Sequence, residues 1–111
     1  MKQLLWQASK RLQAQLIARR RRQLRTAAVQ EQQGLCIYCR RRFSAELLPT
    51  LEHIVPLSKG GDDWCGNVVA ACEPCNNERG NRNYAAFLRY KHSLLDRDRW
   101  EDDHGQDYHT C

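Results

Sequence analysis

The first 30 residues of this 111-residue chain contain no acid, and the first 33 contain neither glycine nor proline. With both helix breakers missing, the stretch KQLLWQASKRLQAQLIARRRRQLRTAAVQEQQ, rich in strong helix formers, is predicted to be one long helix. Gly34 is its expected stop. Nowhere is there a run of ~20 apolar residues, which excludes a membrane-spanning helix. The N-terminus also lacks a sustained apolar stretch behind its basic residues, so no secretory signal is expected. The expectation is therefore a cytoplasmic protein, with no membrane partner and with reduced thiols.

What the first segment has is positive charge. Residues 1–30 carry eight Lys/Arg, a local charge of +8 against +5 for the whole chain. The balance comes late: residues 96–107, DRDRWEDDHGQD, set six acids against two arginines. A basic first third points to a polyanionic partner, and nucleic acid is the commonest. Leu5, Leu12, Leu16, Ile17, Leu24 and Ala28 recur at roughly helical spacing and form an imperfect apolar stripe, read as a docking face. The run Arg19, Arg20, Arg21, Arg22 circles the helix, so part of it must face solvent or phosphate. The plainer readings are a solvated charged helix or a coiled-coil strand.

Beyond Gly34 the elements shorten. GLCIYCRRRFS reads as a tight turn, SAELLP as a short helical turn and TLEHIV as a strand. PLSKGGDDWCGN is loop, carrying Pro56, Gly60, Gly61 and Gly66. NVVAAC is apolar and β-branched at its start, and a helix is predicted from Glu73 or Pro74. A last helix, YAAFLRYKHSLL, places Tyr84, Phe87, Leu88 and Leu95 near one face, with Asn83 as N-cap. The chain thus divides into a basic helix (1–33) on or extending the core, a core (34–82), a C-terminal helix (83–100) and an acidic tail (101–111).

Six cysteines in a reduced compartment favour metal over disulfides. Cys36-Ile-Tyr-Cys39 and Cys72-Glu-Pro-Cys75 are two C-x-x-C pairs with 32 residues between them. Each pair turns two thiolates toward one point, and two pairs complete a tetrahedral sulfur site for structural zinc. Redox pairs share the C-x-x-C spacing, but two pairs in a small, strand-poor chain favour zinc. Chains of this size bury a modest core, and zinc supplies the missing stability. Cys65 and Cys111 are left over, Cys65 as an expected free thiol in a loop. His104, His109 and Cys111 offer the donors of an incidental second metal site, but a terminal tract of this kind is read as solvated.

Between the cysteine pairs lies LEHIVPLSKGG, residues 51–61. Leu51, Ile54, Val55 and Leu57 suit a short buried strand, where two adjacent titratable groups are out of place. Cutting a phosphodiester needs a water nucleophile, a base to deprotonate it and a cation to stabilise the leaving oxyanion. A histidine such as His53 suits the base at neutral pH. A neighbouring carboxylate, Glu52, can hold a hard divalent ion such as Mg²⁺ or Mn²⁺.

The stretch "CIYC … LEHIVPLSKGG … NVVAACEPCNNERGNR", from about Gly34 to Arg82, resembles the HNH endonucleases of the ββα-metal (His-Me finger) fold. The resemblance implies an α+β chain: a small zinc-stabilised ββα-metal core, with the long basic helix before it and the C-terminal helix after. It places His53 as general base and Glu52 at the acidic metal-ligand position, more often Asp in the family. Asn67 takes the middle position, bracing the hairpin and orienting the histidine. Asn76 takes the last position, where the name-giving pattern has His, so the chain is an H-N-N variant. An amide oxygen remains an acceptable ligand for a hard metal. Arg79, Arg82 and Lys59 become candidate phosphate contacts beside Arg19–Arg22. The implied activity is a DNA endonuclease that nicks or cuts both strands of duplex DNA. No specificity domain is visible in the sequence, so a protein partner or low sequence specificity is expected. The alternatives are a catalytically silent zinc module that binds nucleic acid and a protein–protein adaptor.

Overall fold

The computed structural model describes residues 1–95, in the order α1 (Lys2–Glu31), β1 (Pro49–His53), β2 (Val68–Cys72), α2 (Glu73–Arg79) and α3 (Tyr84–Ser93). The two strands pair antiparallel, from Pro49 opposite Cys72 to His53 opposite Val68. A lone two-stranded hairpin is marginal in water, so its stability must come from what packs on it. Every residue of β2 is buried. Ile37, Tyr38, Val69, Ala71 and Phe87 form the core together with Cys36, Cys72 and Cys75. The Tyr38 and Phe87 rings meet edge to face at 4.8 Å, which fastens α3 to the first cysteine turn.

Thirty residues of helix extend about 45 Å, far more than this core can cover. Only the last turns of α1 dock: Leu24 and Ala28 are buried, whereas Leu5, Leu12, Leu16 and Ile17 are exposed. The expected docking face is therefore real over its C-terminal part only. The helix ends where Gln33 and Gly34 take positive φ, with Gly34 N donating to Val29 O at 2.8 Å. Next to this stop, the buried Gln32 side chain pairs with the backbone of Ala70. Its Nε2 donates to Ala70 O at 2.8 Å and its Oε1 accepts from Ala70 N at 2.9 Å. The free edge of β2 is thereby sealed by an amide in place of a third strand.

SAELLP is not a helical turn. Ser44 Oγ instead accepts from both Glu46 N and Leu47 N at 3.2 Å, closing a bend in which a hydroxyl competes with helix formation. The loop between the strands holds two short 3₁₀ turns, Leu57–Lys59 and Cys65–Asn67. Gly61 lets this loop fold back on the strand end, since a Cβ there would lie 1.8 Å from Val55 O. Pro74 sits in the first turn of α2. Asn83 caps α3, its Oδ1 accepting from Ala86 N at 3.0 Å. Among the described residues no helix is long and apolar enough to cross a membrane. The end of the expected C-terminal helix (96–100), the acidic tail, His104, His109 and Cys111 lie outside the described residues.

Candidate active site

The two cysteine turns meet. Cys36 and Cys39 sit on a small loop closed by Cys36 N donating to Arg41 O at 2.9 Å and Arg40 N to Cys36 O at 3.0 Å. Cys72 ends β2 and Cys75 opens α2. All four sulfurs lie within 4.8 Å of one another. Sulfurs about 2.3 Å from one zinc ion stand about 3.8 Å apart along a tetrahedral edge. Cys39 Sγ and Cys72 Sγ are 3.8 Å apart, so the cluster is compatible with zinc. Its surroundings offer donors to Cys36 and Cys39, while hydrogen bonds shared among the sulfurs, and then burial, push the Cys36 and Cys75 thiols up. Cys72 N and Tyr38 N donate to Cys36 Sγ at 3.3 and 3.4 Å, and Arg41 Nε reaches Cys39 Sγ at 3.3 Å. Hydrogen bonds from Cys36 and Cys75, then Arg41, hold the Cys39 thiol far below its ordinary range. These four are the free cysteines of the described residues; Cys65, expected as a loop thiol, is not among them.

Strand alternation separates the two adjacent residues of the opening motif. Glu52 is buried, with Tyr38 Oη donating to its Oε2 at 2.9 Å and Arg79 Nη1 lying 3.3 Å from its Oε1. Burial, and after it the Glu52 charge, push the Tyr38 phenol well above its ordinary pKa, so it is a donor. His53 meets a different set of groups. Its Nε2 lies 2.8 Å from Asp63 Oδ1, and Arg21 Nε of α1 donates to the same carboxylate at 3.2 and 3.0 Å. The hydrogen bond from His53, and then Arg21, hold the Asp63 carboxyl below the ordinary carboxylate range.

Asn67 is buried and secures the backbone just beyond His53. Its Oδ1 accepts from Val55 N at 2.8 Å, and its Nδ2 donates to Val55 O at 3.1 Å and Asp62 O at 2.9 Å. On α2, Asn76 Nδ2 donates to Thr50 Oγ1 at 2.9 Å. Thr50 and Glu52, two apart on β1, share a face, so Asn76 lies on the Glu52 side of the hairpin. With the Asn76 nitrogen committed to Thr50, its carbonyl oxygen is the atom left to coordinate. Carboxylate and amide oxygens are the donor types a hard divalent cation takes, so the residues fit that group in chemistry. Glu52 retains lone pairs beyond those that Tyr38 and Arg79 use.

The basic candidates divide. Arg19, Arg20, Arg22, Lys59 and Arg82 are exposed. Arg79, expected at phosphate, is only 3% exposed. Its guanidinium donates to His53 O at 2.7 Å, Ile54 O at 2.9 Å and Arg82 O at 2.9 Å, clasping β1 to α2. Arg21 is bound to Asp63, unlike its neighbours in the run. Reading the sequence alone missed Tyr38, Thr50 and Asp63. Only Asp63 left a signal there, as the second acid directly after the Gly60-Gly61 turn.

Comparison with known proteins agrees with this architecture. A model of the HNH endonuclease family matches residues 36–91, half of the chain, and includes both cysteine pairs, the hairpin and α2. The chain belongs to the HNH endonuclease family. Among solved structures it is similar to the Type II-C Cas9 enzyme from Actinomyces naeslundii. The TM-score is 0.50 and the identity 24%, over 72% of this chain and 10% of that one. At this identity the likeness concerns the fold, and the chain spans about a tenth of that enzyme's length. No curated protein matches the chain.

Proposed function

We propose that this protein is a DNA endonuclease that hydrolyses phosphodiester bonds with a water activated by His53. The reading is carried by one observation: the matched segment, residues 36–91, contains Glu52, His53, Asn67 and Asn76 on a single β1–β2–α2 unit. His53 accepts the proton of the attacking water. Asn67 keeps the chain after His53 in place through Val55. Glu52 and Asn76 are the ligands for Mg²⁺ or Mn²⁺, which when bound neutralises charge on the departing oxygen. Zinc held by Cys36, Cys39, Cys72 and Cys75 has a separate, structural task. Arg19, Arg20 and Arg22 on α1, with Lys59 and Arg82, supply sequence-independent phosphate contacts to duplex DNA. Any sequence specificity comes from a partner protein.

A second reading is a zinc module that binds nucleic acid without cutting it. The burial of Glu52, whose oxygens already meet Tyr38 and Arg79, favours that alternative. Supercoiled plasmid incubated with the zinc-loaded protein, with and without Mg²⁺ or Mn²⁺, separates the two. Divalent-dependent nicking or linearisation is expected, reduced about 10²–10⁴-fold in His53→Ala with DNA affinity unchanged. Equal cutting by wild type and His53→Ala would overturn the role given to His53, and binding without any cutting would establish the silent module.

A further inference from the structure

We propose that Asp63 is the positioning residue of His53 and that Arg21 holds Asp63 in that role, which makes the long basic helix part of the catalytic unit. The proposal rests on the nuclease reading, in which His53 is the base. An ionised carboxylate only accepts hydrogen bonds. At 2.8 Å from Asp63 Oδ1, His53 Nε2 must therefore carry the proton, and in the neutral ring the lone pair falls on Nδ1. One tautomer is thereby selected, and the ring is pinned at one end while Nδ1 is left to take the proton from water. A ring free to turn would offer either nitrogen in any direction.

Asp63 cannot do this unaided, because it sits on a loop. Two features hold that loop: the close passage of Gly61 under Val55, and the bond from Asn67 Nδ2 to Asp62 O. Arg21 provides the third. Its Nε donates to both Asp63 oxygens, one of them the oxygen that receives His53. An isolated exposed Arg–Asp pair contributes little to stability, since solvent screens it and two side chains must be ordered. This pair differs because its carboxylate is shared with the candidate base. Arg21 is 42 residues from Asp63, so α1 reaches the site only through the fold. The run Arg19–Arg22 then has two tasks: Arg21 faces the site while its neighbours face outward.

The test uses the full-length, zinc-loaded protein and the variants Asp63→Ala, Arg21→Gln and their combination. Three quantities are measured: kcat and KM on a duplex substrate with Mn²⁺, DNA affinity without divalent ion, and the low-field proton resonance of His53 Nε2–H. Asp63→Ala is expected to lower kcat about 10–10²-fold through misplacement of the ring, with KM and DNA affinity little changed. The proton resonance should be sharp in wild type and lost in Asp63→Ala, where exchange with water is unhindered. Arg21→Gln should lower kcat less, and the double variant should match Asp63→Ala, because Arg21 acts through Asp63. Multiplying effects in the double variant, or an Arg21→Gln defect confined to DNA affinity, would show Arg21 to be a phosphate contact and overturn the proposal. Persistence of the resonance in Asp63→Ala would overturn it equally. If Asp63→Ala melts early, Asp63→Leu, similar in size and without an acceptor, carries the same measurements. A wild type that cuts nothing would sink the nuclease reading and the positioning role with it, and the resonance would still report whether Asp63 pins the ring.

Discussion

Tyr38 donates its phenol hydrogen to Glu52 across 2.9 Å, joining the turn that bears Cys36 and Cys39 to the strand that bears His53. Both partners are buried, and Tyr38 is fully so. The first cysteine turn thus braces the buried carboxylate directly. Arg79 completes the arrangement from α2, with Nη1 near Glu52 and its guanidinium 5.8 Å from the centre of the Tyr84 ring. Glu52 has polar partners on two sides, and this explains how a carboxylate is kept in so small a core.

Tyr38→Phe tests that brace. It removes the donor but little volume, leaving the Glu52 oxygen short of a partner. A hydrogen bond to a charged group contributes about 1.5–3 kcal/mol, so denaturant unfolding should show a loss of that order. Zinc content measured by mass spectrometry should stay at wild-type level, and an unchanged unfolding midpoint would show that water replaces the phenol.

Cys36→Ser tests the metal. A structural zinc site's binding free energy is folding free energy, about 10–16 kcal/mol for small zinc domains. The variant is expected to bind no zinc and to lose the cooperative melt seen by circular dichroism. A chelator should do the same to wild type. A metal-free protein that melts as sharply as the zinc form would show that the core stands without the cluster.

The exposed arginines of α1 test DNA affinity. Replacing Arg19, Arg20 and Arg22 with Gln should weaken binding similarly for unrelated sequences. It should also reduce the slope of log K against log salt by about 0.9 for each phosphate that is no longer neutralised. Arg21 is left intact in this variant because its guanidinium is engaged by Asp63. An unaltered slope would turn these side chains over to a protein partner or to solvent.

Gly61→Ala tests the loop return. Its new methyl would collide with the Val55 carbonyl, a backbone group that cannot swing aside. The loop must then shift, carrying Asp63 away from His53. Cleavage should fall about 10²-fold, as for other small misplacements, with zinc content and DNA affinity kept. Gly60→Ala offers a comparison, because its positive φ strains alanine but the space beside it is open. Equal activity in the two variants would show that the approach to Val55 does not govern the site.

Much of this was legible in the sequence because it depends on local chemistry. A stretch with no Gly or Pro and many helix formers is helical wherever it docks, and α1 spans Lys2–Glu31. C-x-x-C turns aim paired sulfurs by short-range geometry, so two pairs announce a four-sulfur cluster before any fold is known. Asn83 caps its helix through a bond to Ala86, three residues away. Other features were decided only when distant segments met. Arg79 and Arg82 look equivalent in sequence, yet one is clasped against β1 by backbone carbonyls and the other is exposed. Arg19 to Arg22 read as one run, but the helix turns only Arg21 toward Asp63. Asp63 and His53 stand ten residues apart with a loop between them, and their pairing depends on how tightly that loop folds back. Local spacing determined which elements and which donor atoms this chain would have. The tertiary packing decided which charges found partners, because a side chain's partners are set by the segments that close over it.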